Sequence, residues 1–391
     1  LDNVDQAKRQ RYEFVYTKLH DFQDYMESLG VDISLSGKPV KAREKRDIAL
    51  QSPSQAVETL KLLGVEHNIE VMHRLSSEKT FANILEAARS EKKWKNIRAY
   101  INVFEEYFTY LNSRQKIQTL DFLYELLMHH QGDIRRQAAG LMGNIIAHFN
   151  EGYKKELPAD ALPESDDDTA LHMWQTYLDM MIFPDHKLTG QHKSWIGYTL
   201  KVVISSVMEH CAFDDRKLYL DVLFSYYQHP EKMKEATAFV LLDAAADLPL
   251  VLCDSSQLEL LRGLCLQSAL SERIDLKAAS LRAMTHMAKS LEGGQTEDLR
   301  AFVRQFDPGK QPCLIFLKAG LWEAFFPETE EIRQMRRSLD RGDIVSEIFL
   351  DNLKTATPWI VKSVNIQILL DQIQRGQKEH LLHIATHFSN L

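Results

Sequence analysis

Turn-forming residues are scarce in this chain. Only 16 glycines and 11 prolines are spread over 391 residues. That scarcity argues against a turn-rich β architecture and for long helices. Cysteine is scarcer still. Cys211, Cys253, Cys265 and Cys313 are scattered through apolar stretches. No two of them have metal-ligand spacing, so buried, reduced thiols in a cytosolic, cytoplasmic protein are expected. No apolar run approaches the roughly 20 residues of a membrane span, and the first residues lack a signal-peptide pattern. An excess of positive charge is missing too. The formal net charge of −8 gives no general attraction to nucleic acid or to an anionic bilayer, so neither is an expected partner. The chain starts at Leu1 and its last residues still read as helix, which suggests a piece of a longer protein.

What is present is a large apolar fraction, 45%, with 26% charged residues, enough for a sizeable core. Beyond about 250–300 residues one core stops growing, which leaves two domains or a lengthwise repeat array. The organising stretch is 132–146. Ile134, Ala138, Leu141 and Ile145 fall on one helix face, with Ala139 and Gly143 small enough beside it for a close neighbour. Asp133 stands where it can cap the helix, followed by Arg135 and Arg136. The stretch echoes at 274–283, where Ile274, Ala278, Ala279, Leu281 and Ala283 match Ile134, Ala138, Ala139, Leu141 and Gly143. Pro230, Ser271, Pro312 and Pro358, spaced by 41, 41 and 46 residues, each precede a helical run.

Periodicity predicts helices at 2–29, 55–63, 65–75, 80–89, 94–111, 113–130 and 134–149, with a loop at 31–41. Beyond them it predicts 216–228, 232–246, 256–270, 274–291, 295–306, 313–326, 328–353 and 359–373. Ser76 is the expected cap of the helix at 80–89. The basic cluster Lys38, Lys41, Arg43, Lys45 and Arg46 reads as solvated surface. The aromatic stripe Trp94, Tyr100, Phe104, Tyr107, Phe108 and Tyr110 reads as core. Segment 151–170 lacks apolar period and carries the run Glu164, Ser165, Asp166, Asp167, Asp168; it is an insertion or a boundary.

The stretch 132–146 resembles the second helix of a HEAT repeat, and the period near 40 residues is similar to that of HEAT and armadillo-like arrays. The resemblance implies an all-α fold, an α-α superhelix. Its expected sections are an N-terminal helix and loop at 1–53, a first helical section at 54–150, an acidic linker or insertion at 151–170 and a second helical section at 171–391. It also implies that the small residues serve stacking. Arg135 and Arg136 are expected to be structural, as the Arg that many HEAT repeats pair with an Asp of the adjacent unit.

Candidate chemistry is thin. His380, His383 and His387 share one side of the last helix and are weak metal candidates; His383 and His387 have i,i+4 spacing, but no acid follows the first. His20-Asp21 and His129-His130 are similar to fragments of the HD phosphohydrolase signature, without the rest of it. No nucleophile elbow or phosphate-binding fingerprint occurs. Glu105-Glu106 and Glu330-Glu331 are adjacent and point to different sides of a helix, so they are not acid/base couples. Arg333, Arg336, Arg337 and Arg341 are helically spaced near Glu330, Glu331 and Asp340. They are partner-binding candidates for an acidic peptide or phosphate, with pairing inside the helix as the competing reading. The expected function is a non-catalytic scaffold, with no cofactor, that binds a protein partner or another domain of a longer parent chain. The alternatives are the helical regulatory region of a larger enzyme, such as a metal-dependent HD-type phosphohydrolase, and a HEAT-like protein acting on nucleic acid.

Overall fold

The computed structural model describes residues 77–151, 169–291, 296–326, 329–340, 352 and 357–374. Among the described residues it is all-α, with fourteen α-helices and no strand. The chain divides into two compact units, residues 1–177 with 186–212 and residues 178–185 with 213–391.

In the first unit the described helices are α1 (Glu78–Ser90), α2 (Trp94–Tyr107), α3 (Ser113–Leu126), α4 (Gly132–Ala147), α5 (Ala170–Ile182, its last residues assigned to the second unit) and α6 (Gly190–His210). Alternate helices pack on one another: α1 on α3, α2 on α4, and α4 on α6. On α4, Ile134, Ala138, Ala139, Leu141 and Ile145 are all buried, so the apolar face read from the sequence is the packed face. Gly143 lies where α4 and α6 come closest. A Cβ there would sit 2.5 Å from Ser206 Cβ and 2.6 Å from the Val203 carbonyl oxygen, so no larger residue fits. Arg135 meets Trp195 and Gly143 meets Val203, which sets α4 and α6 parallel.

The second unit holds α7 (Arg216–Phe224), α8 (Glu235–Ala245), α9 (Ser255–Ser268), α10 (Ile274–Ser290), α11 (Glu297–Gln305), α12 (Pro312–Phe325), α13 (Glu330–Asp340) and α14 (Trp359–Gln374). Helices α8, α10, α12 and α14 pack in that order; α9 lies against α8, α10 and α11, and α13 against α12. The sequence markers fall at these starts. Pro312 is the first residue of α12, Pro358 directly precedes α14, and Pro230 opens a 3-10 turn ahead of α8. Ala278, Ala279, Leu281 and Ala283 are buried as their counterparts on α4 are.

A ladder of polar pairs ties several helices to their counterparts one hairpin later. In the first unit Glu78 bonds Asn112, 34 residues on, and Asn102 bonds Gln137, 35 on. In the second, Asp221 bonds Gln257 and Glu235 bonds Ser271, each 36 on, while Asp243 bonds Arg282 at 39 and Leu248 bonds His286 at 38. Two of these rungs start from the same capping device. Asn112 accepts from the Gln115 amide while the Gln115 side chain accepts from the Asn112 amide, and Asp254 and Gln257 do the same at α9.

Several boundaries differ from expectation. The N-cap of α4 is Gln131, and Asp133 lies in the first turn. Ser77 and not Ser76 caps α1, without a side-chain bond. The predicted helices 94–111 and 216–228 end in 3-10 turns at Phe108–Tyr110 and Ser225–Tyr227, and 232–246 opens with one at Pro230–Lys232. Of 328–353, the described helical part is Glu330–Asp340. Tyr100, Phe104 and Phe108 are buried as core, but Trp94 is 38% exposed. The helices and loop expected before residue 77, and the acidic run 164–168, lie outside the described residues.

Candidate functional site

The chemistry of the described residues concentrates on the turns that join each hairpin of the first unit. Arg89 bonds Glu125 at 3.2 Å, which brings the ends of α1 and α3 side by side and their turns to one edge. At the α1–α2 turn, the Glu91 carboxylate accepts from the Lys92 and Lys93 amides at 2.8 Å each and from Asn96 Nδ2 at 2.9 Å. These bonds, the Lys93 amide first, hold its pKa below the usual carboxylate value. The acid therefore serves to close the turn. Lys92, Lys93, Trp94, Lys95 and Arg98 are exposed around it, with the Lys95 ammonium 5.7 Å from the Trp94 ring centre.

At the α3–α4 turn the His129 and His130 rings lie 4.2 Å apart. Arg135 donates to the carbonyls of His129 (2.6 Å) and His130 (3.0 Å), and its guanidinium lies 4.5 Å over the Trp195 ring on α6. Burial first, then His130 and Arg135, keeps the His129 pKa below the usual imidazole value. At the start of α6, Thr189 caps through the His192 amide, His192 lies 5.6 Å from Trp195, and Lys193 Nζ donates to the His186 carbonyl at 3.1 Å.

Residues 91–98, 129–136 and 186–195 together carry Lys92, Lys93, Lys95, Arg98, Arg135, Arg136, Lys187 and Lys193 against two acids, Glu91 and Asp133, with four histidines and two tryptophans among them. In a chain of net charge −8 this edge has the opposite sign. It also runs against the helix dipole, which favours acids at an N-terminus: neither α2 nor α6 has an acid in its first turn.

The residues singled out from sequence fare differently. Arg333 and Arg337 both donate to Glu330, at 3.3 and 3.1 Å, and are exposed. The Arg336 side chain, Arg341, His380, His383, His387 and His20 lie outside what is described. Arg135 is structural, but its partners are carbonyls and an indole; Arg–Asp pairs across adjacent hairpins are Arg282 with Asp243, 3.2 Å apart, and Arg262 with Asp298, 3.4 Å apart. Arg136 is exposed. No cluster of His, Cys, Asp or Glu suited to a metal occurs among the described residues. The four cysteines are free, and burial pushes the Cys253 and Cys313 thiols up to about 12, so they are poor nucleophiles. Two Ser–His pairs resemble the start of a catalytic dyad. Ser206 Oγ, however, donates to the Gly140 carbonyl at 2.6 Å, and His286 Nε2 bonds the Leu248 carbonyl at 2.6 Å. Both groups are committed to holding helices together. No described helix is long and apolar enough to cross a membrane.

The edge itself was missed by sequence reasoning. Its signal is three basic blocks, two of them one repeat apart, that whole-chain charge averages away. No known family matches the chain, and a search of curated proteins returns no match.

Proposed function

We infer that this chain is a non-catalytic helical-repeat scaffold, a HEAT- or armadillo-like array that binds a protein partner or another domain of a longer parent chain. The observation that carries the reading is the ladder of polar pairs 34 to 39 residues apart. A lone hairpin cannot bury its apolar face; a chain that bonds helices to their counterparts one hairpin later invests those polar groups in stacking. The polar pairs that look most catalytic are spent in the same way, on backbone carbonyls of neighbouring segments. What such an array offers a partner is its turns and the concave face lined by its inner helices.

The test is reconstitution. A protein captured from the native cell extract is purified separately and titrated into this chain by calorimetry, with hydrolysis of bis-p-nitrophenyl phosphate in manganese or magnesium measured alongside. The reading predicts a saturable complex of defined stoichiometry and no turnover. Saturable hydrolysis, or no stoichiometric complex with any captured protein, contradicts it.

A further inference from the structure

We propose that the turn edge of the first unit is the docking surface for an acidic segment of the partner protein, with Lys92, Lys93, Lys95, Arg98, Arg136 and Lys193 reading its carboxylates. The inference rests on the scaffold reading and adds the place and the chemistry of contact.

Three observations carry it. First, the sign of the edge opposes that of the chain, with eight Lys and Arg against two acids over residues 91–98, 129–136 and 186–195. Second, the cations stand where they are least stabilising for the fold. The N-termini of α2 and α6 are positive ends of helix dipoles and have no acid in the first turn. An incoming carboxylate meets the side-chain charge and the dipole together, so a bound anion removes a repulsion that the free protein carries. Third, the structure holds parts of this edge in place. Arg135 is clamped by two carbonyls and stacked on Trp195, and Glu91 is held by the amides of its own turn.

A peptide fits better than a nucleic acid. The two tryptophans of the edge already carry cations, Arg135 at 4.5 Å from the Trp195 ring centre and Lys95 at 5.7 Å from that of Trp94, which leaves no bare pair of rings as a platform for successive bases. The net charge of −8 repels a long polyanion that extends past the edge, whereas a short acidic segment is held on the edge alone. Successive turns stand about one helix spacing, 8–10 Å, apart. An extended peptide advancing about 3.3 Å per residue brings an acid to each turn at every third position.

The probe is a fluorescein-labelled ten-residue polyglutamate, read by anisotropy at 50 mM and 200 mM salt, with a single-stranded DNA of equal charge beside it. The intact chain is compared with Lys93→Glu/Lys95→Glu/Arg136→Glu and with Lys232→Glu/Lys234→Glu on a turn of the second unit. The proposal expects saturable, salt-sensitive binding of polyglutamate, weakened about tenfold or more by the first variant and unchanged by the second. Equal loss in both variants, no polyglutamate binding, or tighter binding of the DNA overturns it. A reconstituted partner whose affinity is indifferent to the first variant overturns the docking site and leaves the scaffold reading standing.

Discussion

Two helices that follow turns in the first unit, α2 and α6, have no acid in their first turn, whereas α8 and α10 of the second unit open with one. Lys93 and Lys95 flank the first residue of α2, and α6 has no acid in its first turn; α8 opens with Glu235 and α10 carries Asp275. The second unit's turns are balanced, and their charges are met locally. Arg273 bonds Asp275 at 2.6 Å and lies 3.8 Å from Glu235, and His229 lies 3.5 Å from Glu231. The contrast separates two demands on one repeat. Stacking requires small residues and polar rungs, and both units supply them. Helix ends are free to vary: α8 and α10 complement their dipoles with an acid, and α2 and α6 do not.

Breaking the contrast in packing should give the largest effect. Gly143→Leu drives a side chain into Ser206 and the Val203 carbonyl, and should cost about 3 kcal/mol or more, where Ala283→Gly at the matching position of α10 should cost about 1 kcal/mol. Denaturant unfolding of both variants measures this, and equal costs would undo the claim that α4 and α6 approach more closely than Ala allows.

Next comes a lysine used as a helix stop. The Lys116 side chain on α3 is buried, and its Nζ donates to the carbonyls of His148, Phe149 and Glu151 where α4 ends. Lys116→Met strands those carbonyls and should cost about 2–4 kcal/mol. Lys318 in the second unit donates to the Phe306 carbonyl at 2.6 Å, and Lys318→Met should cost less. A smaller loss is expected for Asn112→Ala, which removes the capping box and the rung to Glu78, at about 1–2 kcal/mol in the same unfolding assay.

The smallest expected effect is a pH limb. The folded-state pKa of His129 lies below its ordinary value of 6.5, so the unfolded chain binds more protons there. Stability from this site is undiminished above about pH 6.5 and falls as pH drops through that value toward the folded one. His129→Gln should flatten the acid side of the stability profile, and an unchanged slope between pH 7 and 5 would remove His129 as its cause.

How much of this was legible depended on how local the signal is. The packed faces of α4 and α10 were readable because burial repeats every 3.6 residues, and Gly143 was readable as a small residue beside such a face. The capping boxes were readable in principle, since Asn112-Ser113-Arg114-Gln115 and Asp254-Ser255-Ser256-Gln257 share one pattern. Lys116 was not: a lysine in a helix looks solvated until the end of the neighbouring helix is placed over it. Arg135 was assigned a structural role, but its carbonyl and indole partners come from a turn and from a helix 60 residues on. The basic edge hides for a different reason. Its third block is displaced from the repeat by the segment that includes 152–168, so no fixed period lines up all three.

The most direct measurement is the melting temperature of Lys93→Glu/Lys95→Glu/Arg136→Glu at low salt, beside the binding assay on the same protein. If the first unit keeps cations at its helix starts for a partner and not for its own stability, the variant melts at the same temperature or a few degrees higher while losing polyglutamate. A variant that melts several degrees lower would show that those cations serve the fold, and would contradict the account.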